Sequence, residues 1–152
     1  MTTTRVNVAA WIRSEHEKVD RLTVRLHEAI AFVPRVVPRT WLAELRERFE
    51  HFRAHMHQHM ALEEHNEYMA DVLERLPTLA NKVERLRREH RSLARLLDDL
   101  HRTLAEIDPQ DQLLVVDCCH RIDTILGYVA HHEDDENDLV EFAFTDDIGT
   151  KD

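Results

Sequence analysis

The stretch of sequence that decides the fold is VVDCCHRIDTILGYVAHHEDDENDL, residues 115–139. Its apolar residues recur at alternating steps of three and four, which is the spacing of the buried face of a helix. They are Val115, Cys118, Ile122, Ile125 and Val129. The next two positions of this series are His132 and Glu136, and Leu139 then resumes it. Burying ionisable groups without partners is costly, so we expect other helices to supply matching groups at the same depth.

The composition predicts one helical domain. Among 152 residues there are only two Gly and four Pro, while 33% are charged, a profile typical of helix-rich proteins. We therefore predict a single domain over 1–145 followed by a polar C-terminal tail over 146–152. The histidine content is unusual, because 12 histidines are more than a plain helical bundle requires.

Charge and cysteine content narrow the function classes. The net charge of −10 argues against nucleic acid and membrane surfaces as partners, since both attract clusters of Lys and Arg. Cys118 and Cys119 are adjacent, so they form neither a disulfide framework nor a C-x-x-C site. The sequence shows no apolar signal segment and no run as long as a membrane span. We expect a cytoplasmic protein.

Two of the other predicted helices carry one histidine each in an otherwise apolar series. The first, over 4–33, has His16 where its series calls for a core residue. The third, over 79–107, has an unbroken apolar series except at His90. In both helices an imidazole is therefore predicted to point into the core.

The second and fourth predicted helices carry a histidine and a glutamate four residues apart. The second begins at Thr40, a predicted N-cap, runs to about Leu76, and places His59 and Glu63 in its apolar series. The fourth begins with Asp108 as its predicted N-cap and contains the stretch quoted above. A spacing of four puts both side chains of each pair on one helix face, one turn apart.

The two halves of the chain resemble each other. The dipeptides Glu15-His16 and Glu89-His90 are separated by 74 positions, and the two His-x-x-x-Glu motifs by 73. Short connections favour an all-α, up-down-up-down antiparallel four-helix bundle with a pseudo-two-fold arrangement. At about 1.5 Å per residue, all four histidines then lie at a similar height in the bundle.

Four helices thus bring four imidazoles and two carboxylates to one layer of the core. They are His16, His59, Glu63, His90, His132 and Glu136. A lone histidine on an apolar face is usually a satisfied core residue, but six such interruptions at one depth favour a metal site. Nitrogen and oxygen ligands without thiolate suit iron or manganese, and less specifically zinc. Six ligands exceed what one structural zinc needs, so two metal ions are predicted, each held by two histidines and bridged by the glutamates.

The pattern H…HxxxE…H…HxxxE over 7–144 resembles that of the hemerythrin-like (HHE cation-binding) domain family. The resemblance implies a non-haem di-iron centre, oxo- or hydroxo-bridged, that binds or reacts with O2, peroxide or nitric oxide. Oxygen-carrying hemerythrins place a further histidine where this sequence has Ala94, and an aspartate where it has Asn137. The six-ligand form is more similar to members linked to iron or oxygen sensing and to peroxide handling.

Two function classes follow from this resemblance. The first is a catalase-like or nitric-oxide-handling enzyme. The second is a non-enzymatic iron or oxygen sensor, or an iron store, acting through a partner protein.

Several residues near the ligands have weaker assignments. His55 and Tyr128 each lie one turn before a ligand histidine, and we predict that they border the site as hydrogen-bond partners. His131 and Asp135 also have the spacing of two ligands on one helix face. They are the main alternative to His132 and Glu136, which lie in the apolar series. Glu133 belongs to a run of acids that is expected to face solvent.

Overall fold

The computed structural model describes the backbone of residues 2–65 and 68–144, and within them the side chains of 8–65, 69–70 and 72–143. Over these residues the chain forms five α-helices and one short 3-10 turn. In chain order they are α1 (Thr2–Ile30), α2 (Arg39–His65), α3 (Tyr68–Arg75), the turn Pro77–Leu79, α4 (Ala80–Glu106) and α5 (Gln112–Phe144). The predicted tail over 146–152 lies outside the described residues, and the predicted domain boundary stays a prediction.

The four long helices form a bundle. α1 packs against α2 and α5, and α4 packs against the same two helices. Short connections join α1 to α2 and α4 to α5, so the members of each pair run antiparallel. α1 and α5 are also antiparallel, because His16 contacts Glu136 while His27, farther along α1, contacts Asp123, earlier on α5. The predicted all-α, up-down-up-down bundle is confirmed.

A polar layer divides the apolar core into two clusters. The larger cluster includes Phe52 and Leu97, and the smaller includes Ile12. On α4 the smaller cluster contains Leu86 and the larger contains Leu93, so the predicted ligand position lies between them. His16 on α1 and the ligand pair on α5 separate the same two clusters, because Ile12 and Leu139 belong to the smaller one and Val19 and Val129 to the larger one. Both faces of the layer are therefore covered by close-packed apolar side chains.

The short helix α3 closes the end of the bundle next to the smaller cluster. Met69 and Val72 are buried there. Arg75 Nε donates a hydrogen bond of 2.8 Å to the carbonyl oxygen of Ala143, which ties α3 to the last turn of α5. This helix adds a cover that a plain four-helix bundle would lack.

The second helix differs from its prediction at both ends. α2 begins at Arg39 and ends at His65, so Thr40 lies inside the first turn and is not the N-cap. The apolar residues up to Leu76 belong to α3 and the turn after it, which explains why their spacing departs from that of α2.

The start of α5 also corrects the sequence prediction. The backbone N–H of Leu114 donates to Asp111 Oδ1 at 3.3 Å, so Asp111 caps the helix. Asp108 instead accepts the N–H of Gln110 at 2.8 Å within the preceding turn. Both aspartates are typical of such positions, and the sequence alone favoured the wrong one.

Candidate metal centre

The six residues predicted to bind metal lie together in the polar layer. None is more than 5% exposed. α1 supplies His16, α2 supplies His59 and Glu63, α4 supplies His90, and α5 supplies His132 and Glu136. Each occupies a place in the apolar series of its helix, so the packing that buries the series also buries these side chains.

Their ligand atoms form two groups that share one carboxylate. The first group is His16, His59 and Glu136, and the second is Glu63, His90, His132 and Glu136. Within each group the ligand atoms lie within 4.8 Å of one another. The first group takes its histidines from α1 and α2, and the second from α4 and α5. The division therefore follows the internal repeat of the sequence.

Both glutamates span the two halves. Glu63 Oε1 lies 3.0 Å from His59 Nε2 and 3.3 Å from His90 Nε2. Glu136 Oε1 lies 3.2 Å from His16 Nε2 and 3.4 Å from His132 Nε2. Each carboxylate thus reaches one histidine of each half, which is the arrangement that a bridge between two cations requires.

The two histidines of the second half face each other through like atoms. His90 Nε2 lies 3.0 Å from His132 Nε2. At most one proton can lie between these nitrogens, and without it two lone pairs oppose each other. The separation is roughly that of two ligands at right angles on bonds of about 2.1 Å. A cation beside both nitrogens fits this geometry.

Several buried atoms of the layer have no hydrogen-bond partner among the described residues. They include both carboxylate oxygens of Glu63, Oε2 of Glu136 and Nε2 of His59. His59 Nε2 is only 3.0 Å from Glu63 Oε1, yet the pair fails the angular requirement of a hydrogen bond. The atoms point toward a common space rather than at each other. Buried polar atoms are rarely left unpaired, and their convergence suits a shared cation.

Two further glutamates support the outer nitrogens of the ligand histidines. His132 Nδ1 donates to Glu89 Oε1 at 2.8 Å, and His59 Nδ1 donates to Glu15 Oε1 at 3.4 Å. Donation from Nδ1 leaves the Nε2 lone pair free to face the layer, which is the tautomer that a metal ligand needs. This role of Glu15 and Glu89 was not predicted from the sequence. The sequence signal for it is the repeated Glu-His dipeptide, from which only the internal repeat was inferred.

The residue after each ligand glutamate lies beside the outer nitrogen of one of the other two histidines, and only the first of these contacts is a hydrogen bond. His16 Nδ1 donates to Asn137 Oδ1 at 2.9 Å, and His90 Nδ1 lies 3.5 Å from Glu64 Oε2. Asn137 and Glu64 occupy matching places in the two His-x-x-x-Glu motifs. All four histidines therefore have an oxygen beside Nδ1.

A family comparison agrees with this geometry. A model of the hemerythrin HHE cation-binding domain matches residues 7–143, a span that contains all six grouped residues. The chain belongs to the hemerythrin HHE cation-binding family. Comparisons with curated proteins and with solved structures found no significant match. In this family member, the buried histidines and glutamates of the two groups are the residues able to hold cations.

The surroundings of Glu63 in this hemerythrin-family centre favour the ionised form of its carboxylate, which is the form that binds cations. Burial raises the pKa of Glu63, but the two imidazoles beside it, those of His59 and His90, outweigh this effect and lower the pKa to about 2. Burial also lowers the pKa of His132, and the neighbouring His90 adds to the effect. An ionised carboxylate and a neutral imidazole are the protonation states of metal ligands.

The two predicted bordering residues lie in different surroundings. His55 Nε2 is 3.8 Å from Glu15 Oε1 and is buried without a hydrogen-bond partner. Tyr128 is 56% exposed and lines a groove together with Glu89 and His132. His55 therefore lies behind one supporting glutamate and Tyr128 lies beside the other. Their hydrogen-bonding roles stay predictions.

The neighbours of His132 on α5 face different ways. His131 is 74% exposed, and its Nε2 lies 3.5 Å from Asp135, so this rival pair lies on the surface outside the buried layer. Glu133 was expected to face solvent, but it is buried. Burial is the main cause that raises the pKa of Glu133 to about 8. Of these neighbouring positions on α5, His131 therefore faces solvent, whereas His132 and Glu133 are both buried.

No described helix has both the length and the apolar character of a membrane span.

Proposed function

We propose that this chain is a non-haem di-iron protein whose centre binds or reacts with O2, peroxide or nitric oxide. The proposal is carried by the buried layer of four imidazoles and two carboxylates, in which neither oxygen of Glu63 has a hydrogen-bond partner in the described part of the chain. Removing an uncompensated carboxylate from water costs several kcal/mol in practice. Two cations between the two halves would supply the missing partners.

The internal repeat suggests how the ions would be shared. His16 and His59 would hold one ion, His90 and His132 would hold the other, and the two glutamates would span both. Imidazole and carboxylate ligands without thiolate suit iron, while manganese or zinc are substitutes. When bound, two iron ions supply redox electrons and Lewis acidity to a small ligand.

The remaining residues of the centre orient the ligands and exclude water. Glu15 and Glu89 accept the Nδ1 protons of His59 and His132. The Nε2 lone pairs of these two histidines therefore stay directed at the layer. The apolar clusters on both sides keep bulk solvent away, which strengthens every electrostatic contact inside. The proposal includes a cytoplasmic location, with which two free buried cysteines are compatible.

Metal analysis of two adjacent substitutions tests the proposal. His132→Ala removes a buried imidazole, whereas His131→Ala removes an imidazole that is 74% exposed. We expect protein from iron-supplemented cells to contain close to two irons per chain, and His131→Ala to retain them. His132→Ala should lose at least half of the iron. Equal iron contents in the two variants, or a parent protein without iron, would contradict the proposal.

A non-enzymatic sensor or iron store, acting through a partner protein, is the second candidate. The observation behind it is that Glu63 and Glu136 have buried oxygens without a hydrogen-bond partner among the described residues, so that a bound cation would stabilise them. Metal occupancy would therefore change the stability of the bundle. A change of stability with occupancy is a property that a sensor can use.

Adding hydrogen peroxide to the iron-loaded protein separates the two candidates. Oxygen release over many turnovers, followed with an oxygen electrode, would support the enzyme. A stable coloured species without gas release would support the binder. The His132→Ala variant is the control for both readouts, because it should give neither.

A further inference from the structure

A groove between α4 and α5 leads to the outer edge of the metal layer. Its volume is about 580 Å³, which lies in the usual range for small-molecule sites. The residues at its floor are Glu89 and His132, the hydrogen-bonded pair that supports the second half of the centre. A molecule in this groove, called here the α4–α5 groove, would lie directly beside a predicted metal ligand.

The groove carries an excess of positive charge. Arg85, Arg88 and Arg95 line it, and none makes an ion pair or a side-chain hydrogen bond within the described residues. Its two acids are already engaged, because Glu89 accepts the proton of His132 Nδ1 and Asp99 pairs with Arg102. In a chain of net charge −10, three guanidinium groups without counter-ions in one concavity mark a site for an anion.

Apolar side chains form the remaining wall. Leu93 and Leu96 come from α4, and Tyr128 comes from α5. Leu96 is 39% exposed and Tyr128 is 56% exposed, so both offer apolar surface to a bound molecule. The combination favours an anion with an apolar or aromatic body over a simple inorganic ion.

The equivalent surface of the other half lacks this combination. A groove of about 570 Å³ lies beside α1, lined by Arg21 and His55, which match Arg95 and Tyr128 in the repeat. Neither His59 nor Glu15 belongs to its lining. Instead, Trp11 stacks on His59 with ring centroids 5.8 Å apart. Of the two matching grooves, the one between α4 and α5 is therefore the one that reaches a residue predicted to bind metal, His132.

We propose that the α4–α5 groove binds a small organic anion, a carboxylate with an apolar or aromatic body, against Glu89 and His132. The carboxylate contacts the arginines, and the body packs against Leu96 and Tyr128. This binding site goes beyond the proposed di-iron function and does not require iron, because the arginines that contact the carboxylate are not predicted metal ligands.

Benzoate and its neutral analogue benzamide are the probes for this site. Amide chemical shifts of ¹⁵N-labelled, metal-free protein are followed during titration with each compound. Benzoate should saturate and shift the amides around Ser92, Leu96 and Tyr128. Benzamide, which has the same ring without the charge, should bind at least roughly tenfold more weakly. Equal binding of the two compounds would overturn the proposal.

Substitutions in the two grooves provide a matched control. Arg88→Gln and Arg95→Gln should each weaken benzoate binding roughly tenfold. Arg21→Gln, the change at the matching position of the other groove, should leave it unaltered. Circular dichroism should show the same helix content for all three, since these arginines are exposed. Equal loss in all three variants would mean unspecific charge attraction and would overturn the proposal.

A peptide of glutamates tests the competing occupant, an acidic protein segment. If the peptide binds and benzoate does not, the groove is a protein-docking surface and the proposal is wrong. Iron content is measured separately on the same variants, and it should be unchanged in Arg88→Gln and Arg95→Gln. A result that contradicts the anion site can therefore be distinguished from one that contradicts the proposed metal centre.

Discussion

The two halves of the centre are alike at the ligands and different in what covers them. In both, a glutamate on the neighbouring helix accepts the Nδ1 proton of the histidine in the His-x-x-x-Glu motif: Glu15 for His59 and Glu89 for His132. In the first half, Trp11 stacks on the histidine ring. In the second half, a groove reaches the histidine and its glutamate.

This difference separates the residues predicted to bind metal from the residues that surround them. The histidines predicted to hold the cations, and the glutamates beside their outer nitrogens, repeat in both halves, which is the arrangement that two ions with the same surroundings would need. The residues outside them do not repeat: Trp11 stacks on His59, whereas a groove reaches His132. We infer that access to the centre is through the α4–α5 side.

Removing the shared carboxylate should have the largest effect, because Glu136 belongs to both ligand groups. Glu136→Ala is expected to lose both ions, whereas His90→Ala should lose mainly the ion of the second half. Iron content by mass spectrometry is the measurement. Asp135→Ala is the control, since this neighbour pairs with the exposed His131, and it should keep both ions. Full iron content in Glu136→Ala would contradict the assignment of this carboxylate to both ligand groups.

Removing the supporting charges should have an intermediate and matched effect. Glu15→Gln and Glu89→Gln keep the side-chain size but weaken the acceptor for Nδ1. Each should lower metal affinity roughly 10–100-fold, measured by competition with a chelator. Glu17→Gln, an exposed change on the same helix as Glu15, should leave the affinity unaltered. If only one half responds, the two supporting contacts are not equivalent.

Tryptophan fluorescence should show whether Trp11 covers the metal centre on the side of the first half. Trp11 stacks on His59, whereas Trp41 lies at the start of α2, about 27 Å from His59 along the helix. Iron loading should quench Trp11 strongly and Trp41 weakly. Trp11→Phe should therefore lose most of the quenching, and Trp41→Phe should retain it. The opposite pattern would mean that Trp11 does not cover the centre.

The smallest effect is expected at a polar contact between α2 and α4 that the repeat does not preserve. Asp98 accepts hydrogen bonds from His57 and Arg53 at 2.8 and 2.9 Å, while the matching position of the first half is Val24. Burial raises the pKa of Asp98, but these two partners outweigh it and lower the pKa below its ordinary value. Asp98→Asn should cost less than about 1 kcal/mol, because the site is partly exposed.

The pH dependence of that loss is fixed by the direction of the shift. A carboxyl with a lowered pKa in the folded state stabilises the fold above its ordinary pKa of about 3.9. The difference in unfolding free energy between parent and Asp98→Asn should be full at neutral pH and shrink below that value. Asp123→Asn, at an exposed contact between α1 and α5, is the control and should show a smaller difference. A constant difference down to pH 3 would exclude this origin.

The sequence predicted the bundle and the place of the six grouped residues because one helical period governs both. His132 and Glu136 occupy core slots of α5, so their burial follows from the burial of Val129 and Leu139. Helix ends were predicted less well, because Asp108 and Asp111 are equally good caps and the backbone turn decides between them. The break between α2 and α3 was missed for a similar reason.

Contacts that depend on three-dimensional packing could not be read from spacing. Glu15 and Glu89 lie beside the ligand histidines in the sequence of α1 and α4, yet they contact histidines on α2 and α5. The burial of Glu133 depends in the same way on how closely α1 approaches α5. Periodicity gives the face of one helix, whereas these contacts require the distance between two.

Anomalous X-ray scattering at the iron absorption edge, from crystals of iron-loaded protein, tests the central claim most directly. Two peaks are expected within the polar layer, roughly 3.5–4 Å apart. One should lie beside His16 and His59, and the other beside His90 and His132. A single peak, or peaks at His131 and Asp135 on the surface, would contradict the assignment of two ions to the two halves.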